Sequence, residues 1–374
     1  MHTFIAVCKT VPNPTQFYLS TINSKEMAKI PIRNAIQEKL GIVSCLNPMF
    51  FAEKWQIIAL SIEWYSYFGV NRQIYYFISA LKGIYDMLKV YEKEKLIQIE
   101  YFTVPDIKDT DSRLQLDYHD QAGAFNDCYL NYREAADFII VHDSDDLIYL
   151  NGNKFYQFFI QTWISQPQTA YIHFISQFAE VYSNKTLKNF DINFTMKTLN
   201  FLPITDRGKS IYNTSLIETV WSHHATVYDK KLKPKIIQDS EGMQIHARYF
   251  YDINETLIDN VTLISSLLPT DIIAINENFL QRKQLLSSYQ SIKTMESTNR
   301  YYTAIDKCVQ SIGGDNAEIY GCRTHYACKI PRFYNVHCIE ARQTYQKYQI
   351  TDSLNIFVPK SPSKPVINLN GCSL

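Results

Sequence analysis

The sequence predicts an α/β fold: a mostly parallel, Rossmann-type sheet covered by helices, then a less regular region and a Cys-rich C-terminal segment. Three observations predict it. Short apolar runs alternate with amphipathic stretches between residues 41 and 175, the pattern of strand–helix units. The runs are apolar on both faces, as strands are when helices cover both sides of a sheet. The chain has 374 residues, 46% hydrophobic and 20% charged, ample for a large buried core.

Taken in order, residues 1–40 show no period and read as an N-terminal extension. The run 42–46 reads as the first strand, closed by Asn47 and Pro48. A helix over 52–68 follows, with Trp55, Ile58, Ile62 and Tyr65 on one face, and Gly69 ends it. Strands at 74–78, 96–102, 138–141 and 170–175 alternate with helices at 83–91, 121–135 and 151–165. Pro105 stops the third strand, and a polar loop spans 106–118. Residues 176–265 hold polar loops and short β-like runs at 211–212 and 225–228. A helical pattern covers 270–302, inside a segment 266–374 expected to pack on the domain 41–265.

Lys plus Arg and Asp plus Glu are both 37, so the chain lacks the basic excess that drives nucleic-acid binding. No stretch approaches the ~18 apolar residues of a membrane span, and no signal-peptide core stands out. Of eight Cys, five follow residue 300, which reads as disulfide stapling in an oxidising compartment. A zinc site using Cys322, Cys328, Cys338, His325 and His337 is the competing reading, without any Cys-x-x-Cys pair. Five Asn-x-Ser/Thr sequons, at Asn184, Asn193, Asn213, Asn254 and Asn260, fit a glycosylated face.

In a parallel sheet, ligands bind beyond the carboxyl ends of the strands. That places Asn47-Pro48, Ser79-Ala80, Val104-Pro105 and His142-Asp143 along one rim. The last of these begins Asp143-Ser144-Asp145-Asp146, three carboxylates directly after a buried strand. Their mutual repulsion is relieved by a cation, and oxygen ligands at a strand end suit Mg2+ or Mn2+. Such an ion bridges a diphosphate and stabilises it as it leaves. An EF-hand is excluded, because Ile148 and Lys154 stand where Gly and Glu are required. A helix N-cap at Asp143 or Ser144 is the structural alternative. An aspartyl phosphohydrolase using Asp143 is another, though Leu147 lacks the expected hydroxyl.

The run Cys45-Leu46-Asn47-Pro48-Met49-Phe50, with Lys54-Trp55 and Gly69, resembles the opening of glycosyltransferase family 92. Tyr118-His119-Asp120-Gln121-Ala122, Asn126-Asp127-Cys128 and Asp143-Ser144-Asp145-Asp146 continue it in order. Lys209-Ser210 through His223 and Ile245-His246 match later family blocks more loosely. The resemblance implies a GT-A fold and an inverting transfer of a hexose, galactose from UDP-galactose being the best-known donor. It also implies Mn2+ on the D-x-D, a glycan acceptor, and a membrane-anchored Golgi-lumen setting. One departure is Asp146, where the family usually has Glu.

On that resemblance, residues 41–175 are the nucleotide-sugar half and 176–265 the acceptor half. Asp143, Asp145 and a downstream His246 form the metal set, with His223 and His224 behind it. Leu46, Asn47, Pro48, Ser79, Gln121, Asn126 and Asp143 face the nucleotide sugar. Asp239, Glu241 and Asp146 are the candidate general bases. Lys209 and Arg248 offset diphosphate charge, and Trp221 offers a sugar-stacking platform. A non-catalytic glycan or nucleotide-sugar binder is the remaining alternative.

Overall fold

The seven-stranded sheet at the centre of the protein explains why its site lies where it does. In the computed structural model, residues 11–105, 116–253, 267–313 and 330–373 are described, with residues 5, 107 and 114. The sheet runs in the order Lys233–Ile236, Thr169–His173, Ser210–Asn213, Ala136–His142, Leu40–Leu46, Arg72–Phe77, Ile97–Tyr101. Only Ser210–Asn213 is antiparallel to its neighbours. The alternation read from the sequence is therefore present, and the two apolar runs with no polar face, Leu40–Leu46 and Ala136–His142, are adjacent at the middle.

Helix Trp55–Tyr67 is buried from Trp55 through Tyr65. It is nearly apolar all round because it lies between the main sheet and a second one. That second sheet has four strands, Asn200–Asp206, Ser176–Asn184, Gly242–Ile253 and Asp146–Leu150. Asp146–Leu150 was not anticipated: its run is short and merges with the expected helix, which begins only at Phe155. This strand runs antiparallel to Gly242–Ile253, with His246 opposite Asp146.

Two disulfides join pairs of described residues. Cys45–Cys128 ties strand Leu40–Leu46 to helix Gln121–Tyr132 across 83 residues, worth about 4.5 kcal/mol of loop-closure entropy on the chain-entropy model. Cys338–Cys372 staples the C-terminal segment, as its Cys content implied. That pairing removes Cys338 from any zinc site. Cys308 is also disulfide-bonded. Cys8, Cys322, Cys328, His325 and the sequons at Asn254 and Asn260 lie outside the described residues. Strand Cys338–Arg342 extends Ser79–Leu81, so the C-terminal segment is joined to the main domain by backbone hydrogen bonds. Among the described residues, no helix is long and apolar enough to cross a membrane.

Candidate active site

Strand Ala136–His142 delivers the acidic run to the sheet's carboxyl rim. Asp143 to Asp146 form a turn, with the Asp146 N–H donating to the Asp143 carbonyl at 3.1 Å. The Asp143 N–H donates in return to Asp146 Oδ2, also at 3.1 Å. A strand follows this turn, not a helix, so helix capping is not its role. His142 supports the turn from below: its ring stacks on Tyr65 at 4.0 Å, and Nδ1 lies 2.8 Å from the Asp143 carbonyl. Burial pulls His142 down to about 4, so the ring is neutral and donates through Nδ1.

The three carboxylates then part company. Ser210 is in register with Val141, which brings the preceding Lys209 alongside the turn. Its Nζ is 2.8 Å from Asp143 Oδ2 and 3.3 Å from Asp146 Oδ2, and it donates to Ser222 at 2.9 Å. Burial disfavours this ammonium, but Asp143 and Asp146 outweigh it and raise its pKa. Gln244 completes the buried side, donating to Asp146 Oδ1 at 2.6 Å and accepting from the Lys209 N–H at 2.6 Å. The backbone before Lys209 must pass close: a Cβ on Gly208 would lie 1.7 Å from the Phe174 carbonyl oxygen. Asp146 is 1% exposed, and burial raises its pKa despite Lys209. Lys209 is thus the built-in cation for two of the three acids.

Asp145 points the other way. Its carboxylate is 3.2 Å from His246 Nε2. Its carbonyl accepts from the Ala247 N–H at 2.8 Å. Burial opposes its ionisation, but His246 and Arg248 hold it below the usual carboxylate range. Burial likewise pulls His246 down, and the neighbouring Asp145 and Asp146 charges reverse that and push it up to about 9.

Asp145 borders an open cleft. Leu46, Asn47 and Pro48 form one wall, continued by Met49 to Lys54. Ser144 and Asp145 line it, as do Ala247, Arg248 and Phe250. Tyr302, Ile305 and Asp306 close the opposite side. Asp145, Asp146 and His246 each bring a ligand atom within 4.8 Å of the others. Since Lys209, Gln244 and a backbone N–H occupy the Asp146 oxygens, Asp145 and His246 are the pair open to an ion. Two ligands on one octahedral ion lie about 3 Å apart, which their separation matches. A carboxylate oxygen and an imidazole suit Mn2+ or Mg2+ with positions left for phosphate oxygens, provided His246 gives up its proton.

The structure brings Leu46, Asn47, Pro48 and Asp145 together on the cleft, places His246 beside Asp145, and sets Asp143 beside Gln121, whose amide donates to it at 3.2 Å. Other candidates have different tasks. Ser79 is buried and accepts from the Phe51 N–H. Asn126 clamps Val220 through both its N–H and its carbonyl. Asp239 and Glu241 precede Gly242, which pairs with Leu150 at the far end of the ladder from Asp146. That end is about 14 Å away at the usual strand rise, and Glu241 is paired with Lys235. His223 bonds the Gly208 carbonyl, His224 is exposed, and Trp221 receives the Tyr212 hydroxyl on its carbonyl.

Sequence reasoning missed the far wall. Glu53 is 3% exposed and accepts from Thr298 Oγ1 at 2.5 Å, Arg300 N at 3.0 Å and Tyr302 N at 2.6 Å. It thereby caps helix Arg300–Gly313. Lys54 pairs with Asp252 at 2.8 Å and donates to Ser297 at 3.1 Å. Nothing local in the sequence marks these long-range pairings; the one available signal was two charged residues in an otherwise apolar stretch.

Comparison with known proteins bears on the whole arrangement. Residues 41–300 match the model of glycosyltransferase family 92. The chain is 22% identical over 99% of its length to the family 92 protein F59C6.8 of Caenorhabditis elegans, covering 75% of that relative. It is 24% identical over 81% to F55C10.4 and 27% over 62% to F13G3.3, both from the same organism, covering 64% and 46% of them. Among solved structures, S. aureus TarS 1–349 aligns with 67% of this chain and 72% of its own at 15% identity and a TM-score of 0.30. The family match spans the strand–helix alternation, the acidic turn and His246 together, and the chain belongs to glycosyltransferase family 92, and so to the glycosyltransferases.

Proposed function

We propose that the protein transfers a hexose, galactose from UDP-galactose being the donor the family resemblance implies, with inversion, onto a glycan hydroxyl. The observation that carries this reading is Asp145, which lines the cleft walled by Leu46, Asn47 and Pro48 and has His246 3.2 Å from its carboxylate. Asp145 and His246 would hold Mn2+ or Mg2+, which supplies charge neutralisation for the departing diphosphate. Leu46, Asn47 and Pro48 cover the uridine at the end of the first strand. Gln121 and Lys209 fix the Asp143 carboxylate from two sides, which favours a positioning role over ligation. Asp146 in place of the family's Glu fits the buried slot: its oxygens already meet Lys209, Gln244 and a backbone N–H, so the shorter acid leaves the open pair intact. The disulfides Cys45–Cys128 and Cys338–Cys372 support folding in the secretory pathway.

Calorimetric titration of UDP, with and without Mn2+, tests this on the wild type and on Asp145→Ala. The expected result is metal-dependent binding by the wild type that falls at least tenfold in the variant. UDP affinity indifferent to both the metal and the substitution would remove the reading.

A further inference from the structure

Inversion requires a base that takes the acceptor hydroxyl proton, and Asp146, Asp239 and Glu241 are buried or remote. Among the described residues, three carboxylates line the cleft: Glu53, Asp145 and Asp306. Glu53 is consumed by the helix cap, and Asp145 faces His246. Asp306 is different. It lies on the same face of helix Arg300–Gly313 as Tyr302, at i and i+4, and its side chain is 37% exposed. Arg248 is 3.5 Å from Oδ1, and Gln310 donates to Oδ2 at 3.0 Å. An ionised carboxylate accepts about four hydrogen bonds, so two neighbours leave room for an acceptor hydroxyl. Arg248 also helps keep Asp145 ionised, which links the two acids across the cleft. The helix is held in place by Glu53 and by the Tyr302 hydroxyl, which donates to the Arg248 carbonyl at 2.9 Å.

We propose that Asp306, beyond the residues that match the family model, is the general base of the transfer; this rests on the inverting reading above. Its carboxylate takes the proton of the attacking hydroxyl. The hydroxyl oxygen forms the bond to the anomeric carbon while the bond from that carbon to the diphosphate breaks. UDP leaves with that electron pair.

The test uses UDP-galactose with water as the hydroxyl acceptor, on the full chain. Asp306→Asn is expected to bind UDP in Mn2+ within twofold of the wild type and to release UDP 10²- to 10⁴-fold more slowly, with donor KM little changed. Azide, a nucleophile with no proton to lose, should restore UDP release in this variant. Asp306→Glu should retain part of the wild-type rate, which a merely structural loss would not discriminate. Asp306→Asn turning over within threefold of the wild type, or losing only donor affinity, overturns the assignment alone. A wild type that neither binds UDP nor releases it from the donor overturns the underlying reading as well.

Discussion

Asp145 and Asp146 are neighbours in the chain and opposites in environment. Asp146 faces inward onto Lys209 and Gln244 and is sealed from solvent. Asp145 faces the cleft, opposite His246, with 30% of its side chain exposed. The difference teaches that a run of acids need not act as one cluster. One side chain builds the turn and its neighbour is left for a ligand, because successive residues entering a strand point to opposite faces.

The strongest way to break this comparison is to remove the buried cation. Lys209→Met should destabilise the protein by about 3–5 kcal/mol, since Asp146 and Asp143 lose their counter-charge in a buried setting. Chemical denaturation gives the value, and a loss below about 1 kcal/mol would mean Lys209 is not what holds the inward side.

Next in size is a buried acid far from the cleft, which sharpens the contrast. Glu63 has a fully buried side chain, receives the Tyr91 hydroxyl at 2.9 Å and is paired with Arg282. Burial pushes it up to about 7 despite these partners. A carboxyl raised in the folded state holds its proton longer than in the unfolded chain. Its contribution is therefore complete below about pH 4.5 and disappears as pH rises through about 7, a change of at most about 3 kcal/mol. Stability curves of wild type and Glu63→Gln between pH 4.5 and 7 should diverge in that direction. Parallel curves would show that the ion pair with Arg282 cancels the burial effect.

The smallest expected effect is on the open side. Asp145→Asn should change stability by about 1 kcal/mol or less, because a partly exposed ion pair contributes little. A larger drop in melting temperature than that of Lys209→Met would reverse the assignment of the two sides.

Much of the frame was legible. Runs such as 42–46 and 138–141 carry no charged residue and only one polar side chain, Ser44, and their burial on both faces is why they read clearly as central strands. The acidic turn was legible for the same reason, since it follows such a run. The partner of that turn came from family resemblance, not from periodicity. The juxtaposition of His246 and Asp146 depends on ladder register between Asp146–Leu150 and Gly242–Ile253, and long-range register leaves no trace in either segment alone. Asn126 and Ser79 misled because a polar side chain near a predicted rim satisfies backbone as readily as it meets a ligand. The helical pattern expected over 270–302 did not anticipate helix Arg300–Gly313, which starts where that pattern stops. The N–H groups of Arg300 and Tyr302 are received by Glu53, a residue in another part of the fold, and that partnership is invisible in the local sequence.

That last contact has a consequence for biogenesis. Glu53 receives the Tyr302 N–H across a separation of 249 residues. On the ribosome, the first strand and its rim emerge long before the helix that walls them in. Until that helix arrives, the acid, the apolar rim beside it and Lys54 stand open to water and to chaperones. The nascent protein thus passes through an interval in which its sheet can form while its cleft cannot, and quality control has its clearest opportunity there.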